Sequence, residues 1–310
     1  MKIVALAGGV GGAKLVDGLA TALPPQDLTV VVNTGDDFEH LNLYISPDLD
    51  TVCYTLAGLA NPETGWGRRY ETWVTMANII KLGGPGWFKI GDQDFATHLE
   101  RTRRFTEGQP LSQIVREFCR SWDIKQTILP MTDDKVRTIV KTSEGELPFQ
   151  EYFVKRECQP VVNGFVFLGS DTATAAPGVF QAVDESDAVV ICPSNPWVSI
   201  GPILALKGMV SNLKKKLVIA VSPIIGGKAV KGPAAKMYME LGFQPSALTV
   251  AKHYQGTAAG FVLDKVDDNL EAQIKELDME PLITDTLMKT AEDRRRLAKD
   301  VLDYIESHHQ

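Results

Sequence analysis

The chain has 310 residues, of which 44% are hydrophobic and 23% are charged, and its formal net charge is −7 at pH 7. A chain of this length can bury one large core or two smaller ones without the help of disulfides. The excess of acidic residues argues against a broad surface for nucleic acid or for anionic lipid. The cysteines are scattered without a Cys-x-x-Cys pair, so neither a disulfide framework nor a zinc site is expected.

The first residues and the length of the apolar runs bear on localisation. Met1-Lys2 leads directly into an apolar run, which leaves no room for a secretory signal peptide. No apolar run approaches the roughly 20 residues that a membrane span requires. Together with the unpaired cysteines, these features predict a cytoplasmic protein that binds neither nucleic acid nor membrane.

The N-terminal segment predicts a strand, a glycine-rich turn, a helix and a second strand. An apolar run at 2–7 leads into Gly8-Gly9-Val10-Gly11-Gly12-Ala13-Lys14, and a helical pattern then reaches a second apolar run at 28–32. In such a βαβ unit the first turn presents backbone N–H groups and a helix N-terminus to an anion. Close strand–helix packing alone does not need this many glycines, so the turn is interpreted as a phosphate-binding site.

The turn does not match the two common nucleotide fingerprints. A dinucleotide-binding Gly-x-Gly-x-x-Gly starting at Gly9 needs glycine at the position of Lys14. A Walker A loop needs Gly-Lys followed by Ser or Thr, whereas Ala13 and Leu15 flank Lys14. A standard nicotinamide site and a P-loop NTPase are therefore not expected. A dinucleotide oxidoreductase with Asp36 on a ribose is kept as a less favoured alternative.

Acidic residues close to the glycine turn predict a metal site. Asp36 and Asp37 follow Asn33 after the second strand, and Asp48 and Asp50 come shortly afterwards. Because Mg²⁺ is usually held by a few carboxylates together with substrate phosphates, phosphoryl chemistry on a nucleotide-linked substrate is inferred, with Mg²⁺ as the cofactor. Helix capping is the alternative for Asp48 and Asp50, and it is expected to explain one of them.

The predicted fold class is α/β, a Rossmann-like and mostly parallel sheet with helices on both faces and a helical insertion. Apolar runs at 164–168, 188–192, 217–221 and 247–250 are interpreted as strands, with helix-length segments between the last three. The stretch 285–307 predicts one amphipathic helix.

The domain organisation is inferred from a change of pattern in the middle of the chain. Residues 51–125 hold four of the five tryptophans, show helical patterns and lack a convincing strand. They are interpreted as a helical insertion beside the active face, and residues 126–160 as a small β region. The nucleotide-binding core is therefore predicted to comprise 1–50 and 126–310.

Two further loops come directly after predicted strands, where ligands of open α/β sheets bind. Ser194-Asn195 comes after the run 188–192, and Gly226-Gly227-Lys228 after the run 217–221. Both loops are expected to contact phosphates. A turn and helix cap remains open for the first, and a plain connector for the second. Lys231-Gly232-Pro233 comes next, and Pro233 is expected at the first position of a helix.

The segment Trp87-Phe88-Lys89 offers an aromatic pair beside a cation, which suits a flat ring with a polar edge. A helix start capped by Asp92 or Asp94 is an equally favoured interpretation. His98 and His253 are expected to be structural, because neither has a recognisable partner in the sequence.

Taken together, these stretches resemble the 2-phospho-L-lactate transferase family, the CofD-like proteins of deazaflavin coenzyme biosynthesis. The resemblance spans about the first 270 residues. It is carried, in order, by Gly8-Gly9-Val10-Gly11-Gly12-Ala13-Lys14-Leu15, Asn33-Thr34-Gly35-Asp36-Asp37, Ser46-Pro47-Asp48-Leu49-Asp50-Thr51, Trp87-Phe88-Lys89-Ile90-Gly91-Asp92, Ser194-Asn195-Pro196 and Ser222-Pro223-Ile224-Ile225-Gly226-Gly227-Lys228.

The resemblance implies a reaction. A phospholactyl or phosphoenolpyruvyl group passes from a guanosine-diphosphate-activated donor, a guanylylated phospholactate or phosphoenolpyruvate, to the ribityl hydroxyl of the deazaflavin FO, and GMP leaves. It also implies Mg²⁺ dependence, a homodimer, and FO binding at the positions of Asp50 and Lys89. The two donors differ by one unsaturation, so no motif separates them.

The expected site combines the residues and the resemblance. The catalytic residues are Asp50 and Asp48, the deazaflavin contacts are Asp50, Lys89 and Trp87, and the metal ligands are Asp36, Asp37 and Asp48. The nucleotide and phosphate contacts are expected at Gly8, Gly9, Gly11, Gly12, Lys14, Asn33, Ser194, Asn195, Gly226, Gly227 and Lys228. A nucleotide-sugar-binding regulator of the same fold is the other alternative, against which the segments 46–51 and 87–92 argue.

Overall fold

The structure is a computed structural model that describes residues 1–230 and 234–308. The prediction for Pro233 lies outside these residues. The strands that the structure describes are β1 (Ile3–Ala7), β2 (Leu28–Val32), β3 (Phe38–His40), β4 (Leu43–Ile45), β5 (Thr127–Pro130), β6 (Arg137–Thr142), β7 (Gly145–Pro148), β8 (Val162–Leu168), β9 (Ala188–Ile191), β10 (Leu217–Val221), β11 (Ile224–Ile225), β12 (Lys228–Ala229), β13 (Gly260–Asp264) and β14 (Glu280–Thr284).

Helices connect most of these strands. The α-helices are α1 (Gly9–Ala22), α2 (Pro47–Leu56), α3 (Val74–Lys81), α4 (Asp92–Thr106), α5 (Leu111–Ser121), α6 (Val179–Glu185), α7 (Gly201–Leu204), α8 (Met209–Leu213), α9 (Ala234–Glu240), α10 (Ala247–His253), α11 (Glu271–Lys275) and α12 (Ala291–Ser307). Short 3-10 helices lie at Pro25–Asp27 and Lys265–Leu270, and π-helical turns at Glu151–Lys155 and Pro196–Ile200.

Within the described residues, the central sheet has seven strands in the order β14-β13-β10-β9-β1-β2-β5, and every neighbouring pair is parallel. The chain passes from β1 to β2 on one side and later returns to β9 on the other side of β1. The strand order therefore reverses between β1 and β9, and the carboxyl ends of these two strands form the crevice in which such sheets bind ligands. The glycine turn leaves β1 there, and Ser194-Asn195 leaves β9.

Alternate strand residues point to opposite faces of the sheet, and helices cover both faces. On one face Ala5, Val30 and Val190 pack with apolar residues of α1, α2, α5 and α12. On the other face Val4 and Ile191 pack with residues of α6, α7, α8, α10 and α11. The predicted α/β class, with a parallel sheet covered on both faces, is confirmed.

Three smaller β units stand beside the central sheet. Strands β7, β6 and β8 form an antiparallel sheet, and Val140, Tyr152 and Val162 bury its inner face against Val198 and Met237. The β3–β4 hairpin packs against α3 through Leu43, Ile45, Met76 and Ile90. The β11–β12 hairpin comes directly after β10.

Several element predictions are wrong in ways that have physical causes. Residues 247–250 form the start of α10 and not a strand, because the Ser246 hydroxyl accepts a hydrogen bond from the backbone N–H of Thr249 and caps a helix. A short apolar run does not distinguish a buried strand from a buried helix. The run 164–168 is a strand, but its partner is β6 in the antiparallel sheet.

One sheet assignment, one helix boundary and two strands also differ from the prediction. β5, at the start of the expected small β region, joins the central sheet beside β2. The C-terminal helix begins at Ala291 and not at Asp285, since Thr290 and Asp293 form a capping box. Strands β13 and β14 were not predicted.

Residues 51–125 contain helices and a single bridged pair, Ala60 with Arg68, but no strand of their own. Within this range α5 buries Leu111, Val115 and Cys119 in the same cluster as α1 and the central sheet. The division into a nucleotide-binding core and an insertion stays a prediction. No helix in the part of the chain that the structure describes is both long enough and apolar enough to cross a bilayer.

Candidate active site

The glycine turn is pressed against the loop after β9. The Ser194 hydroxyl donates to the carbonyl of Gly8 at 2.7 Å and accepts from its N–H at 3.3 Å. A Cβ on Gly11 would overlap the carbonyl oxygen of Pro193, and one on Gly12 would lie 2.7 Å from Ser194 Oγ. Gly9 has a φ of +63°, which a side chain rarely permits. The glycines therefore allow a close approach of two loops as well as the turn itself.

A cavity of about 740 Å³ opens over this turn. Its lining includes the phosphate-turn residues Gly8, Gly9, Gly11, Lys14, Ser194 and Asn195, and also Tyr54, Trp66, Trp87, Phe88 and Lys89. Asp36, Asp48 and Asp50 line it as well. The structure thus brings many of the predicted phosphate, acid and acceptor residues to one cavity, whereas Gly12, Asn33, Asp37 and residues 226–228 do not line it.

Asp48 is held by the turn that it faces. Its Oδ1 accepts from the N–H of Gly9 at 2.8 Å, and its Oδ2 accepts from Asn33 Nδ2 at 2.9 Å. Asn33 also donates to the carbonyl of Val198 and does not line the cavity. Asn33 therefore orients Asp48, and the Gly9 N–H is already engaged.

Burial dominates the electrostatics of the three predicted metal ligands. Burial, and then the neighbouring Asp48 carboxylate, raise the pKa of Asp36 well above its ordinary value. Burial raises the pKa of Asp37 to about 7, although Arg137 and the Ser46 hydroxyl oppose this. Burial raises the pKa of Asp48 to about 6 despite the bonds from Asn33 and Gly9. Three carboxylates of high proton affinity therefore lie beside the phosphate turn.

These acids fit a hard divalent cation. Asp36 Oδ1 and Asp37 Oδ1 are buried without a hydrogen-bond partner. Each of these oxygens has therefore lost its hydrogen bonds to water and has gained none from the protein. Carboxylate oxygens are the ligands that Mg²⁺ prefers. Asp36 and Asp48 line the cavity, whereas Asp37 does not. Magnesium at Asp36, Asp37 and Asp48 stays a prediction, best supported for the first and the last.

Asp50 lies in the first turn of α2, and its partner is a buried arginine. Arg101 donates from Nη1 to Asp50 Oδ2 at 3.1 Å and from Nη2 to Asp50 Oδ1. The side chain at the N-cap position, Ser46, bonds to Asp37 and not to the helix. Capping therefore explains neither Asp48 nor Asp50, and that prediction is wrong.

His98 is predicted to be structural for want of a partner, but the structure gives it partners on both sides. Its Nδ1 lies 3.2 Å from Arg101 Nη1, and its Nε2 lies 3.4 Å from Asp94 Oδ2. Sequence reasoning also missed Arg101 and Tyr54. The signal was the spacing of Asp94, His98 and Arg101 on α4, which places all three on one helix face.

The predicted start of a helix near Asp92 is confirmed, but Asp92 does not cap that helix. α4 starts at Asp92, whose carboxylate accepts from the backbone N–H groups of Val74 and Thr75 and so caps α3. Trp87 and Phe88 pack with His40 and Phe38 in a cluster with edge-to-face contacts, and the binding of a flat ring by Trp87 and Phe88 stays a prediction. Lys89 is exposed at the rim of this cluster.

The other residues predicted to contact phosphates differ in whether they line the cavity. Lys14 lines the cavity, and its Nζ donates to the carbonyl of Met288 at 2.7 Å. Asn195 caps the adjoining helical turn through the N–H of Trp197, so the helix-cap interpretation of that loop is confirmed. Asn195 also lines the cavity, and its contact with phosphate stays a prediction. Gly12 lies behind Ser194, outside the lining.

The loop after β10 is where the site prediction and the structure diverge. Gly226, Gly227 and Lys228 form the β11–β12 turn and do not line the cavity. The N–H of Gly226 donates to Asp267 Oδ2 at 2.9 Å, so a carboxylate already occupies the place expected for a phosphate. Ser222 and Ile225 of the same segment do reach the cavity.

A second aromatic wall has no counterpart among the predicted site residues. Phe149 and Phe153 stack with ring centroids 5.4 Å apart and planes 9° apart, and both line the cavity. They lie before and within a π-helical turn that the small antiparallel sheet supports. The cavity therefore has aromatic surfaces on two sides, which suits a ligand with two flat rings.

Comparisons with known proteins show the family to which the chain belongs. The model of the 2-phospho-L-lactate transferase family, CofD, matches residues 3–305. A phosphoenolpyruvate transferase of Streptomyces griseus is 40% identical over 314 residues, covering 99% of this chain and 99% of the relative. A 2-phospho-L-lactate transferase of Methanococcus maripaludis is 39% identical over 311 residues, covering 99% of this chain and 100% of the relative.

A solved structure extends the likeness in fold. A Bacillus halodurans protein described as a member of the UPF0052 family superposes with a TM-score of 0.63 at 12% sequence identity. The match covers 97% of this chain and 98% of that one. At this identity the likeness shows the fold alone.

Proposed function

Since this chain belongs to the 2-phospho-L-lactate transferase family and is a transferase of 2-phospholactate or phosphoenolpyruvate, we propose that its donor is a guanosine-diphosphate-activated form of that group. The acceptor is the ribityl hydroxyl of the deazaflavin FO, and GMP is released. The observation that carries this proposal is one cavity whose lining combines the glycine turn, the carboxylates of Asp36, Asp48 and Asp50, and the aromatic residues Trp87 and Phe88.

The proposed reaction is a substitution at phosphorus. The acceptor hydroxyl oxygen forms a bond to the phosphorus next to the lactyl or enolpyruvyl oxygen, and the bond from that phosphorus to the oxygen of GMP breaks. The hydroxyl proton passes to solvent, and the bridging oxygen leaves with GMP. Such reactions depend chiefly on positioning and on stabilisation of phosphate charge.

The chain's own residues are proposed to divide this work. The turn Gly8–Gly11, the N-terminus of α1 and Lys14 face the donor phosphates. Asp50 accepts a hydrogen bond from the acceptor hydroxyl and so aims it at the phosphorus. Asp36 and Asp48 would hold Mg²⁺, which supplies positive charge to the phosphate oxygens. Trp87, Phe88 and Lys89 would receive the deazaflavin ring.

The decisive experiment offers the purified protein FO, Mg²⁺ and each of the two guanylylated donors separately. Identification of the products by mass separates the donors, because the phospholactyl product has two hydrogens more than the enolpyruvyl product. The relatives named for these two activities have nearly equal identity to this chain, so the choice needs this measurement. Product formation from neither donor would contradict the proposal.

Two binding measurements distinguish the alternatives. Binding of GDP without transfer would favour a nucleotide-sugar-binding regulator of the same fold. Binding of NAD without GDP would favour the oxidoreductase. Calorimetry with GDP and NAD on the same sample gives both answers, and we expect binding of GDP only.

A homodimer is also proposed, from the family resemblance. Ile80 and Leu82 are 51% and 87% exposed at the end of α3 and provide apolar surface for such a contact. Sedimentation should give twice the mass of one chain, and Leu82→Glu should shift the protein toward the monomer if this surface is the contact.

A further inference from the structure

The carboxylate of Asp50 is held from behind the cavity wall. Arg101 is 1% exposed and does not line the cavity, yet both of its terminal nitrogens donate to Asp50, one to each oxygen. A guanidinium fork on a carboxylate fixes the plane of that carboxylate as well as its position. Asp50 itself lines the cavity, so its remaining lone pairs are available on the cavity side.

Arg101 is itself held by its neighbours on two elements. Its Nη1 also donates to the carbonyl of Tyr44 at 3.4 Å and lies 3.2 Å from His98 Nδ1. His98 in turn faces Asp94, whose Oδ2 lies 3.4 Å from His98 Nε2.

The row of polar side chains that starts at Asp50 and passes through Arg101, His98 and Asp94 ends on α2. The Tyr54 hydroxyl donates to Asp94 Oδ1 at 2.6 Å, and Tyr54 stands one helical turn beyond Asp50. Arg101, His98 and Tyr54 are each at most 2% exposed. The row therefore joins α2 to α4 at two points and leaves the Asp50 carboxylate little freedom to rotate.

A metal ion is the competing explanation of this cluster. Asp50, Asp94 and His98 are the group of potential ligands within 4.8 Å of one another that the described residues contain. Both oxygens of Asp50, however, already accept from Arg101, whose positive charge opposes a cation at the same place. Buried ion pairs add little stability compared with apolar residues, so a role in positioning accounts better for an arginine at this point.

We propose that Arg101, with His98 behind it, is a positioning residue that fixes the Asp50 carboxylate as the hydrogen-bond acceptor for the acceptor substrate's hydroxyl. This inference rests on the proposed function, in which Asp50 faces the acceptor. Arg101 touches neither substrate, so its removal should weaken the acceptor's binding and turnover and leave donor binding unchanged.

The experiment compares Arg101→Met, Arg101→Lys, Asp50→Asn and the double variant Asp50→Asn/Arg101→Met. Arg103→Met is the matched control, because Arg103 is on the same helix but is exposed and, among the described residues, forms its ion pairs with Glu100 and Glu107. For each folded variant, calorimetry gives the dissociation constants of FO and of GDP, and steady-state kinetics gives KM and kcat for the acceptor. The double variant carries neither buried charge, so it tests the inference even if Arg101→Met does not fold.

In the single variants, Arg101→Met should weaken FO binding by about tenfold or more, as the loss of a hydrogen bond to a charged group does, with GDP binding within about twofold. Arg101→Lys should fall between it and wild type, because lysine keeps the charge without the fork. Arg103→Met should match wild type. In the Asp50→Asn background, Arg101→Met should change FO binding by less than about twofold, since its effect passes through Asp50.

The inference is overturned by any of three results. Folded Arg101→Met could bind FO as wild type does, the loss could be equal for FO and GDP, or Arg101→Met could weaken FO binding by the same factor with and without Asp50. Binding of added Mg²⁺ or Zn²⁺ that disappears in His98→Gln would establish the metal explanation instead. Failure of wild type to bind FO at all would identify an error in the proposed function, before any variant is compared.

Discussion

Asp50 shows how a residue's role depends on its partner more than on its place in a helix. It lies in the first turn of α2, where a carboxylate commonly stabilises the helix N-terminus, yet its oxygens are taken by Arg101 from a different helix. The interaction joins positions 51 residues apart. The local sequence of α2 does not indicate that Asp50 pairs with Arg101, and the local sequence of α4 does not indicate it either.

Asp50→Asn is expected to abolish transfer almost completely and also to destabilise the protein. Removing one partner of a buried ion pair costs about 3 kcal/mol, whereas loss of a helix cap costs about 1 kcal/mol. Chemical denaturation and turnover on the same sample measure both effects. Asp123→Asn, at a position 83% exposed, is the control and should change neither. Normal turnover of Asp50→Asn would remove Asp50 from the mechanism.

The raised pKa of the buried Asp37 carboxyl predicts that the stability of the protein depends on pH. Burial raises its pKa from 3.8 to about 7 in the folded state, so the folded protein holds this proton more tightly than the unfolded chain. The stability that this proton contributes is complete below the pKa of the unfolded chain. It falls as the pH rises from that pKa to the pKa of the folded protein, and it is lost above the latter.

Asp37→Asn has no such proton to lose. Relative to wild type, its free energy of unfolding should therefore increase by on the order of 2 kcal/mol between about pH 5 and about pH 8. Denaturant titrations at both pH values, with a chelator present, give the difference. A difference that does not vary with pH would show that Asp37 is not desolvated as described.

Lys89 is expected to act on the acceptor alone. It lines the cavity next to Trp87 and Phe88 in the chain. Lys89→Ala should raise the KM for FO and leave the KM for the donor unchanged, and Lys81→Ala, at the exposed end of α3, should change neither. Equal increases for both substrates would place Lys89 on the phosphates, and no change would return it to the solvated surface.

Among the helices, strands and loops, the site depends on how closely the turn before α1 approaches the loop after β9. The Ser194 hydroxyl bonds to both backbone groups of Gly8, and Gly11 leaves no room for a side chain beside Pro193. The two strands are neighbours in the sheet with Leu6 opposite Ile191, so their loops emerge side by side. Strand pairing therefore sets the geometry of the phosphate turn.

Gly11→Ala is expected to separate these loops and to weaken GDP binding by about tenfold or more, because overpacking forces the backbone to shift. Gly83→Ala is the matched control. Gly83 has a φ of +87° and open space around its missing Cβ, so alanine there costs about 1 kcal/mol of stability without touching the cavity. Calorimetry with GDP and a melting curve for each variant separate the two effects. Unchanged GDP binding in Gly11→Ala would show that the donor lies elsewhere.

For the protein as a whole, the cavity concentrates negative charge in a chain whose net charge is already −7. Its proposed donor is also an anion, so binding requires local positive charge. Lys14 and Lys89, which both line the cavity, supply part of it. A divalent cation beside Asp36 and Asp48 would supply the rest.

Mg²⁺ is accordingly expected to stabilise the folded protein. At a concentration about a hundred times its dissociation constant, a ligand of the folded state adds about 2.7 kcal/mol, which corresponds to an increase in Tm of about 4 °C for a chain of this size. Melting curves near pH 8 with Mg²⁺ and with a chelator measure the shift. It should vanish in Asp36→Asn/Asp48→Asn, and a shift of equal size in that variant would place the ion elsewhere.

The class of fold and the position of the cavity could be predicted from the amino-acid sequence alone. Apolar runs at 3–7, 28–32, 188–191 and 217–221 are strands, because parallel strands that are buried on both faces need uniformly apolar residues. Ligand loops at the ends of β1 and β9 are expected from the same pattern, since parallel strands bring their carboxyl ends to one edge. Where a pattern is compatible with two structures, as at 247–250, the cap at Ser246 favours the helix.

Which side chains act together depends on the tertiary structure. The row from Asp50 through Arg101, His98 and Asp94 to Tyr54 exists because α4 docks against α2, and the stacked pair Phe149 and Phe153 reaches the cavity because a separate antiparallel sheet carries it there. The Gly226 turn points away for a comparable reason, since Asp267 occupies its N–H. Strand and helix periodicity arise from local steric and burial preferences, whereas a contact between distant residues depends on the docking of whole elements, which no local pattern encodes.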